Sequence, residues 1–397
     1  MKLKEYSEQI AFLTEFVIIE CIKRMKETKH MRIQLTIGTA VYNIDEPFLR
    51  AHIEGVLRQL TPETELLLID DCSANNSGAV CREYAAKDSR VRYICMEQNG
   101  GLSRVRNRTI AEAAGEWIFF ADGDDLLSDY FVETALKNCD KDYDIIIHER
   151  LKFADEKPEE RPCTDAALTE LPKGAGRKLS ISCLCLDPSL GEKCGLPSRA
   201  FYHAAWGAVY KKDFLLRHRL QFPDGQKKAQ DSVFNTYAYF YAEKIAYLPY
   251  VMYFYRNNAQ GITKRYSKDL PQILQSLVGH HQRCIRQLYP GDQEVEACYQ
   301  SNRLISNLVD NMWLNIFHKD NPKPRAVRKQ EFLDFIEAEP YKTAIRNFDA
   351  KTSGRLDWHL PVILIRKKRF GLLNLFVGND RLFRILCGID KRLARRL

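Results

Sequence analysis

Between residues 31 and 125 the chain alternates apolar segments with amphipathic ones, and this alternation limits the folds open to it. Four apolar segments are typical of buried strands: "RIQLTIGTAV", "TELLLID", "VRYIC" and "EWIFFA". The segments between them have helical periodicity, and the first, "PFLRAHIEGVLRQL", begins with Pro47, where helices favour proline. Strands and helices in this order predict an α/β fold, with a doubly wound, mostly parallel sheet flanked by helices.

Polar residues follow each of the four predicted strands. Tyr42 and Asn43 follow the first strand, and residues 70–71 end the second. Residues 99–101 follow the third, and the acidic segment 122–125 ends the fourth. Because open α/β sheets bind ligands at the carboxyl ends of their strands, we expect these groups to form one site along one edge of the sheet.

The acidic segment "ADGDD" predicts a metal site. Asp122, Asp124 and Asp125 place three carboxylates directly after a buried strand, where they repel one another unless a counter-ion is bound. Carboxylate oxygens suit hard cations, so we expect Mn²⁺ or Mg²⁺ bound by Asp124 with Asp122 and Asp125, and bridging two phosphates. The alternative is a helix N-cap followed by first-turn acids, but one cap does not need three carboxylates.

Composition and missing motifs exclude several classes of protein. A net charge of +8 over 397 residues suits an anionic ligand and does not by itself indicate nucleic acid, so we expect none as a partner. No G-x-G-x-x-G follows the first strand and there is no Walker A motif, which argues against a dinucleotide-dependent dehydrogenase and a P-loop NTPase. Twelve scattered cysteines, no secretion signal and no apolar stretch of roughly 20 residues predict a cytoplasmic protein without a transmembrane helix.

Five short motifs in order resemble those of glycosyltransferase family 2. They are "TAVYN", "IDDCSANNS", "NGGLSRVRN", "FFADGDDLL" and "AQDSVFN". The resemblance covers roughly residues 32–257 and implies the Rossmann-like, nucleotide-sugar-binding A-type glycosyltransferase fold. Two departures bear on the site, because Cys72 stands where the family usually has glycine and Gln230 where it usually has glutamate.

The resemblance implies an inverting enzyme that moves a sugar from a nucleoside-diphosphate-sugar, by default a UDP-sugar, to a glycan or lipid-linked acceptor. The setting would be surface polysaccharide synthesis of the bacterial type. Asp231 would be the general base that takes the acceptor proton, and its alternative role is a helix N-cap. Trp206 would form a wall of the acceptor site, and its alternative role is core packing.

The resemblance also assigns a donor site. Asp71 would accept a hydrogen bond from the nucleobase and Tyr42 would pack against it; the alternatives are a turn-forming aspartate and a core tyrosine. Arg106 would either reach the phosphates or brace the acidic cluster. The complete set of expected nucleotide-sugar-binding residues is Ala40, Tyr42, Asn43, Asp71, Asn99, Gly101, Arg106, Asp122, Gly123 and Asp124.

Two other functions remain as alternatives. A non-catalytic relative would bind nucleotide-sugar or glycan as a regulatory or assembly module, and Gln230 favours it by removing a charge beside the expected base. A nucleotidyltransferase would need a basic, glycine-rich loop after the first strand, and "GTAVYNIDEPF" is not such a loop. Release of nucleotide from a donor distinguishes an enzyme from a binding module.

The chain divides by composition into three parts. We expect an amphipathic helix over residues 1–30, a catalytic domain over 31–258 with a variable insertion or flexible loop at 151–199, and a helical extension over 259–397. A helix is expected in "AFYHAAWGAVYKKDFLLRHRLQF". The basic, leucine-rich tail from Lys367 predicts either a helix pair on an anionic membrane surface or a basic cap on the domain.

Overall fold

The computed structural model describes residues 32–139, 141–154, 156–160, 167–257, 265–350 and 358–377. The amphipathic helix expected over residues 1–30 lies outside these ranges, and so does most of the basic tail, from residue 378 onward.

One mixed sheet forms the centre of the described structure. Its strands, in chain order, are β1 (Leu35–Val41), β2 (Thr64–Asp70), β3 (Val91–Cys95), β4 (Trp117–Asp122), β5 (Leu126–Leu127), β6 (Ile145–Phe153), β7 (Thr169–Glu170), β8 (Ala208–Lys211) and β9 (Ile245–Arg256). Their spatial order is β3-β2-β1-β4-β8-β6-β9-β5, and β7 pairs with β9.

Helices cover the sheet and continue beyond it. Those of the first half are α1 (Glu46–Leu57), α2 (Ser77–Lys87), α3 (Leu102–Glu112), α4 (Phe131–Cys139), α5 (Ala175–Cys185), α6 (Ser189–Glu192), α7 (Lys212–Arg217) and α8 (Gln230–Tyr241). A single 3₁₀ turn, Ala205–Gly207, precedes β8. The C-terminal helices are α9 (Leu270–Leu288), α10 (Gln293–Cys298), α11 (Ile305–Asn311), α12 (Arg325–Glu337), α13 (Tyr341–Asn347), α14 (His359–Arg366) and α15 (Phe370–Val377), with π-helical stretches at Tyr299–Leu304 and Met312–Ile316.

The first four strands form the predicted parallel unit. β1 pairs in parallel with β2 and β4, and β2 pairs in parallel with β3. In β4, Trp117, Phe119 and Ala121 pack into the apolar core on one face of the sheet, while Ile118 and Phe120 pack into the core on the other. A strand that is buried on both faces has a continuous apolar sequence, which explains the "WIFFA" pattern. The predicted fold class is therefore confirmed, and the polar ends of these strands share one edge.

The middle of the sheet differs from the prediction. β8 lies antiparallel between β4 and β6, in a segment where a helix was expected. Only α7, which follows it, is helical. The strand is four residues long, "AVYK", and too short to show a period. Its conformation is fixed by strand pairing on both sides, which the local sequence does not reveal.

The C-terminal helices enclose a core of their own. Leu184 and Cys185 of α5 pack into it together with Val233 of α8. Of the two alternatives for residues 151–199, a flexible loop does not describe α5, because this helix packs both on the sheet region and on the helical extension. Within the described residues, no helix is both long and apolar enough to cross a membrane.

Candidate active site

Arg106 links two acids that come from separate parts of the chain. Its side chain, only 3% exposed, donates from Nη2 to Oδ1 of Asp122 at 3.0 Å and from Nη1 to Oδ1 of Asp231. Asp122 ends β4, Arg106 lies in α3 and Asp231 lies in the first turn of α8. Of the two roles left open for Arg106, the structure places it as a brace of the acidic cluster.

Asp231 is not the N-cap of its own helix. Its Oδ2 accepts a hydrogen bond from the backbone N–H of Ala205 at 3.3 Å, and no side chain caps α8. The carboxylate is 19% exposed. Burial raises the pKa of Asp231 above its usual value, and the charge of Arg106 offsets this increase only in part. A partly accessible carboxyl with a raised pKa suits proton abstraction from an acceptor hydroxyl.

Asp125 is a structural acid. Tyr253 donates its hydroxyl proton to Oδ2 and the backbone N–H of Arg256 donates to Oδ1, each at 2.6 Å. The side chain is buried, and burial with the charges of Asp124 and Asp122 raises its pKa well above the usual value. Both oxygens therefore already accept a hydrogen bond within the protein, which makes Asp125 less suited to bind a metal than the other two acids.

Asp122 and Asp124 fit a divalent cation better. Burial, followed by the charge of Asp122, raises the pKa of Asp124 to about 6. Two partly exposed carboxylates this close along the chain repel one another, and a bound cation would relieve that repulsion; their oxygens are the donors that Mg²⁺ and Mn²⁺ prefer. The described residues contain no group of three or more His, Cys, Asp or Glu placed to hold a metal. Phosphate oxygens and water would have to complete the coordination.

Asp71 holds the turn that precedes α3. Its carboxylate accepts from the Gly100 N–H at 2.7 Å, the Gly101 N–H at 2.8 Å and the Asn99 side-chain amide at 3.0 Å. Gly101 has φ of +81°, a conformation that only glycine adopts without strain. Asp71 thus fixes the shape of the Asn99–Gly101 turn, and its contact with a nucleobase stays a prediction.

Tyr42 and Asn43 occupy the rim of the same edge. Tyr42 is 50% exposed, which excludes the alternative of core packing and leaves a ring face open for stacking. Asn43 accepts at Oδ1 from the backbone N–H of Ala74 at 2.8 Å. The neighbouring Cys72 has φ of +61°, so the left-handed backbone explains why glycine is usual at this position.

Gly123 allows a close approach between β4 and β1. Its N–H donates to the carbonyl of Ala40 at 3.1 Å. A Cβ at this position would lie 2.7 Å from Cδ1 of Ile44, closer than packed carbons approach. Ala40 and Gly123 therefore bring the first and fourth strand ends together, and their contact with a donor stays a prediction.

Trp206 lies in the core. It is 6% exposed and stacks on Tyr253 at 4.7 Å between ring centroids, with Phe201 at 5.3 Å and Tyr255 at 5.6 Å. Trp206 was expected to form a wall of the acceptor site, and the structure instead shows the alternative, core packing. Its ring lies beneath the protein surface and is not part of it.

The sequence alone did not single out two residues that hold the site. His52 contacts the carbonyl of Asp125 through Nδ1 at 2.8 Å and the hydroxyl of Thr39 through Nε2 at 2.9 Å. Tyr253 accepts the Asp122 N–H at 3.3 Å while donating to Asp125. In the sequence, each is only a side chain with a polar atom in a largely apolar segment: His52 in α1 and Tyr253 in β9.

Comparison with known proteins agrees with this geometry. Residues 36–192 match the model of Glycosyl transferase family 2. The uncharacterized glycosyltransferase EpsJ of Bacillus subtilis (strain 168) is 29% identical over 231 residues, which are 58% of this chain and 63% of that protein. Glycosyltransferase GlyG of Streptococcus pneumoniae serotype 4 is 25% identical over 234 residues, 58% of this chain and 73% of that protein.

A solved structure matches the fold over most of the chain. The crystal structure of residues 1–349 of Staphylococcus aureus TarS superposes with a TM-score of 0.56 at 17% identity, covering 87% of this chain and 90% of that one. The sheet and the acids at its carboxyl edge define a protein of the A-type glycosyltransferase fold. The chain spans just under two thirds of the length of the B. subtilis relatives EpsH and EpsJ.

Proposed function

We propose that this protein is an inverting glycosyltransferase that moves a sugar from a nucleoside-diphosphate-sugar to a hydroxyl of a glycan or lipid-linked acceptor. The observation that carries the proposal is the pairing of one buried guanidinium, Arg106, with both Asp122 and Asp231. That pairing holds the candidate metal ligand Asp122 and the candidate base Asp231 on either side of the Arg106 guanidinium. Transfer between two bound substrates requires such fixed positions of the catalytic groups.

The donor is expected along the β1–β4 edge. Tyr42 offers an exposed ring for the base, and the turn held by Asp71 presents the N-terminus of α3, which suits negative charge. Asp122 and Asp124 would hold Mn²⁺ or Mg²⁺, which neutralises charge on the departing diphosphate. S. aureus TarS has a structure in complex with UDP-GlcNAc, so UDP-GlcNAc is the first donor to test.

Asp231 performs the proton transfer in this proposal. Its carboxylate accepts the proton of the acceptor hydroxyl while the hydroxyl oxygen bonds to the anomeric carbon and the bond to the diphosphate breaks. Attack from the side opposite the leaving group inverts the anomeric centre. Arg106 keeps Asp231 deprotonated despite its burial, because its charge favours the carboxylate form. The Ala205 N–H fixes the orientation of the carboxylate.

The decisive experiment measures nucleotide release from a panel of nucleotide-sugars with Mn²⁺, Mg²⁺ or EDTA. We expect metal-dependent release from one donor class, and loss of that release in Asp124→Ala. Asp129→Ala is the matched control, because Asp129 is a nearby exposed acid paired with Lys157. Donor binding without release would favour the non-catalytic binding module, and no binding of any donor with or without metal would contradict the proposed function.

We also propose that the basic C-terminal tail brings the protein to an anionic membrane surface, where a lipid-linked acceptor would lie. The support is that Leu372 and Leu375 of α15 are exposed and the sequence that follows is basic. Phe370 and Leu373 are buried in the helical core, so a deletion that tests the tail should begin after α15. Removing residues 378–397 should move the protein from the pellet of vesicles containing phosphatidylglycerol to the supernatant, and unchanged pelleting would contradict this.

A further inference from the structure

Arg150 of β6 stands out as a cation in an aromatic setting. Its guanidinium carbon lies 4.0 Å from the ring centroid of Phe201 and 5.8 Å from that of Trp206. Its backbone pairs with Tyr253 of β9, the residue that holds Asp125. The sequence analysis did not single out Arg150, and none of the steps proposed above uses it.

This guanidinium has no anionic partner. Its Nε is buried without a hydrogen-bond partner, and within the described ranges no carboxylate forms an ion pair with it. Burial lowers the pKa of Arg150, and the one neighbour that opposes this is Tyr255. A partly buried cation normally carries paired donors, since an unpaired one costs free energy. Stacking on Phe201 uses the face of the guanidinium and leaves its N–H edge free.

Arg150 is connected to the candidate base through the ring of Trp206. Tyr255 stacks on Trp206, and the pKa of its hydroxyl is raised by burial and then by the three acids of the "ADGDD" segment, while Arg150 lowers it. Tyr255 and Arg150 therefore both lie against the ring of Trp206. Trp206 follows Ala205, whose N–H binds Asp231. Arg150 thus flanks the turn that orients the candidate base.

We propose that Arg150 binds an anionic group, a phosphate or a carboxylate, carried by the acceptor. This inference rests on the proposed function, because it takes Asp231 as the base that faces the acceptor. In the proposed mechanism, the metal ion held by Asp122 and Asp124 and the N-terminus of α3 already neutralise the donor diphosphate. A further cation beside Trp206 would therefore bind the second substrate, the acceptor. The planar fork of arginine forms two parallel hydrogen bonds with either oxyanion.

The test is equilibrium binding by calorimetry, with UDP and Mn²⁺ at saturation so that the diphosphate site is filled. Glycerol 3-phosphate is compared with glycerol, and glucuronate with glucose, which separates a phosphate from a carboxylate. We expect wild type to prefer one anion over its neutral counterpart by at least about 10-fold, the size of a charge-assisted hydrogen bond. In Arg150→Met the ratio of the affinities for the anion and its neutral counterpart should fall to about 1. In Arg150→Lys this ratio should lie between the values of wild type and Arg150→Met.

Two controls separate binding from folding and from the donor. Arg108→Met removes the same charge from an exposed arginine on α3 that pairs with Glu112, and should keep the preference. Arg150→Met should change the melting temperature little, since Nε has no hydrogen bond to lose and the methionine side chain can still pack against the ring of Phe201. An unchanged anion preference in Arg150→Met, or none in wild type, overturns the inference, as does weaker binding of UDP-GlcNAc relative to UDP in that variant. Failure of UDP to bind would instead count against the proposed function, and titration of the free protein would still decide the role of Arg150.

Discussion

Arg106 donates a hydrogen bond from Nη1 to Oδ1 of Asp231, which lies 125 residues further along the chain. The contact joins the helix after the glycine turn to the helix that carries the candidate base. Nη2 of the same guanidinium holds Asp122 at 3.0 Å, so three elements meet on one side chain. A buried cation between two acids is a structural requirement as much as a catalytic one, because either acid alone would be buried without a counter-charge.

Replacing Arg106 should therefore affect both folding and the pH profile. Arg106→Met leaves Asp122 and Asp231 without their cation, and we expect the free energy of unfolding to fall by about 3–5 kcal/mol. The proposed mechanism requires deprotonated Asp231, so we expect the rate to fall as the pH drops through its raised pKa. Without Arg106 that pKa rises further, and the acidic limb should move to higher pH in both Arg106→Met and Arg106→Lys, more so in Met. An acidic limb at the same pH in wild type, Arg106→Met and Arg106→Lys would contradict the effect of Arg106 on the pKa of Asp231.

Asp231→Asn should separate chemistry from donor binding. The amide keeps the shape of the side chain but cannot take a proton, so we expect transfer to fall by about 10²–10⁴-fold. The dissociation constant for the UDP-sugar should change by less than about 3-fold, since the proposed mechanism places Asp231 on the acceptor side. Asp224→Asn, which changes an exposed acid paired with Arg104, is the control. Comparable loss of donor binding in Asp231→Asn would place this residue in the donor site.

Asp71→Asn should weaken the donor site through its turn. The carboxylate accepts from two consecutive backbone N–H groups, Gly100 and Gly101, one at each oxygen. An amide has one acceptor oxygen and would turn an NH₂ toward a backbone donor, so one hydrogen bond becomes a repulsion. We expect UDP binding to weaken by about 10-fold and hydrogen exchange of the Gly100 and Gly101 amides to become faster. Weaker binding with unchanged exchange would indicate direct contact between Asp71 and the nucleotide.

Cys72→Gly should relieve backbone strain. Cys72 has φ of +61°, and a left-handed non-glycine residue costs roughly 1–2 kcal/mol, partly offset by the larger entropy that glycine loses on folding. We expect the free energy of unfolding to rise by up to about 1 kcal/mol. Cys95→Gly is the matched control, because this exposed cysteine ends β3 with an ordinary strand backbone, and it should destabilise the protein. Urea titration measures both, and equal effects would contradict the strain argument.

Acid should destabilise the fold through His52. The carbonyl of Asp125 only accepts, so Nδ1 of His52 carries the proton and Nε2 accepts from Thr39. Burial lowers the pKa of His52 to about 4, from 6.5 in the unfolded chain. The folded state thus binds fewer protons, and its stability falls as the pH drops from 6.5 towards 4, by up to about 3 kcal/mol. In His52→Gln the pH slope of the free energy of unfolding should be smaller over this window; an unchanged slope would exclude His52 as its source.

The sequence by itself determined the parallel half of the sheet and the edge at which the candidate site lies. β4 is buried on both faces, and this produces an unbroken apolar run that ends at Asp122. Since each of the first four strands is followed by polar residues, their common edge was predictable from local pattern. The positions of Asp124 and Asp231 followed from short motifs, which local sequence also carries.

Only the tertiary structure decided which of these groups pair. That Arg106 meets Asp231, that Tyr253 and Arg256 occupy both oxygens of Asp125, and that Trp206 is enclosed by aromatic rings depend on contacts between distant segments. The strand β8 forms because β4 and β6 offer it hydrogen bonds on both sides. Local periodicity records which side of a segment is buried, but the partner on that side is chosen by the packing of the whole chain.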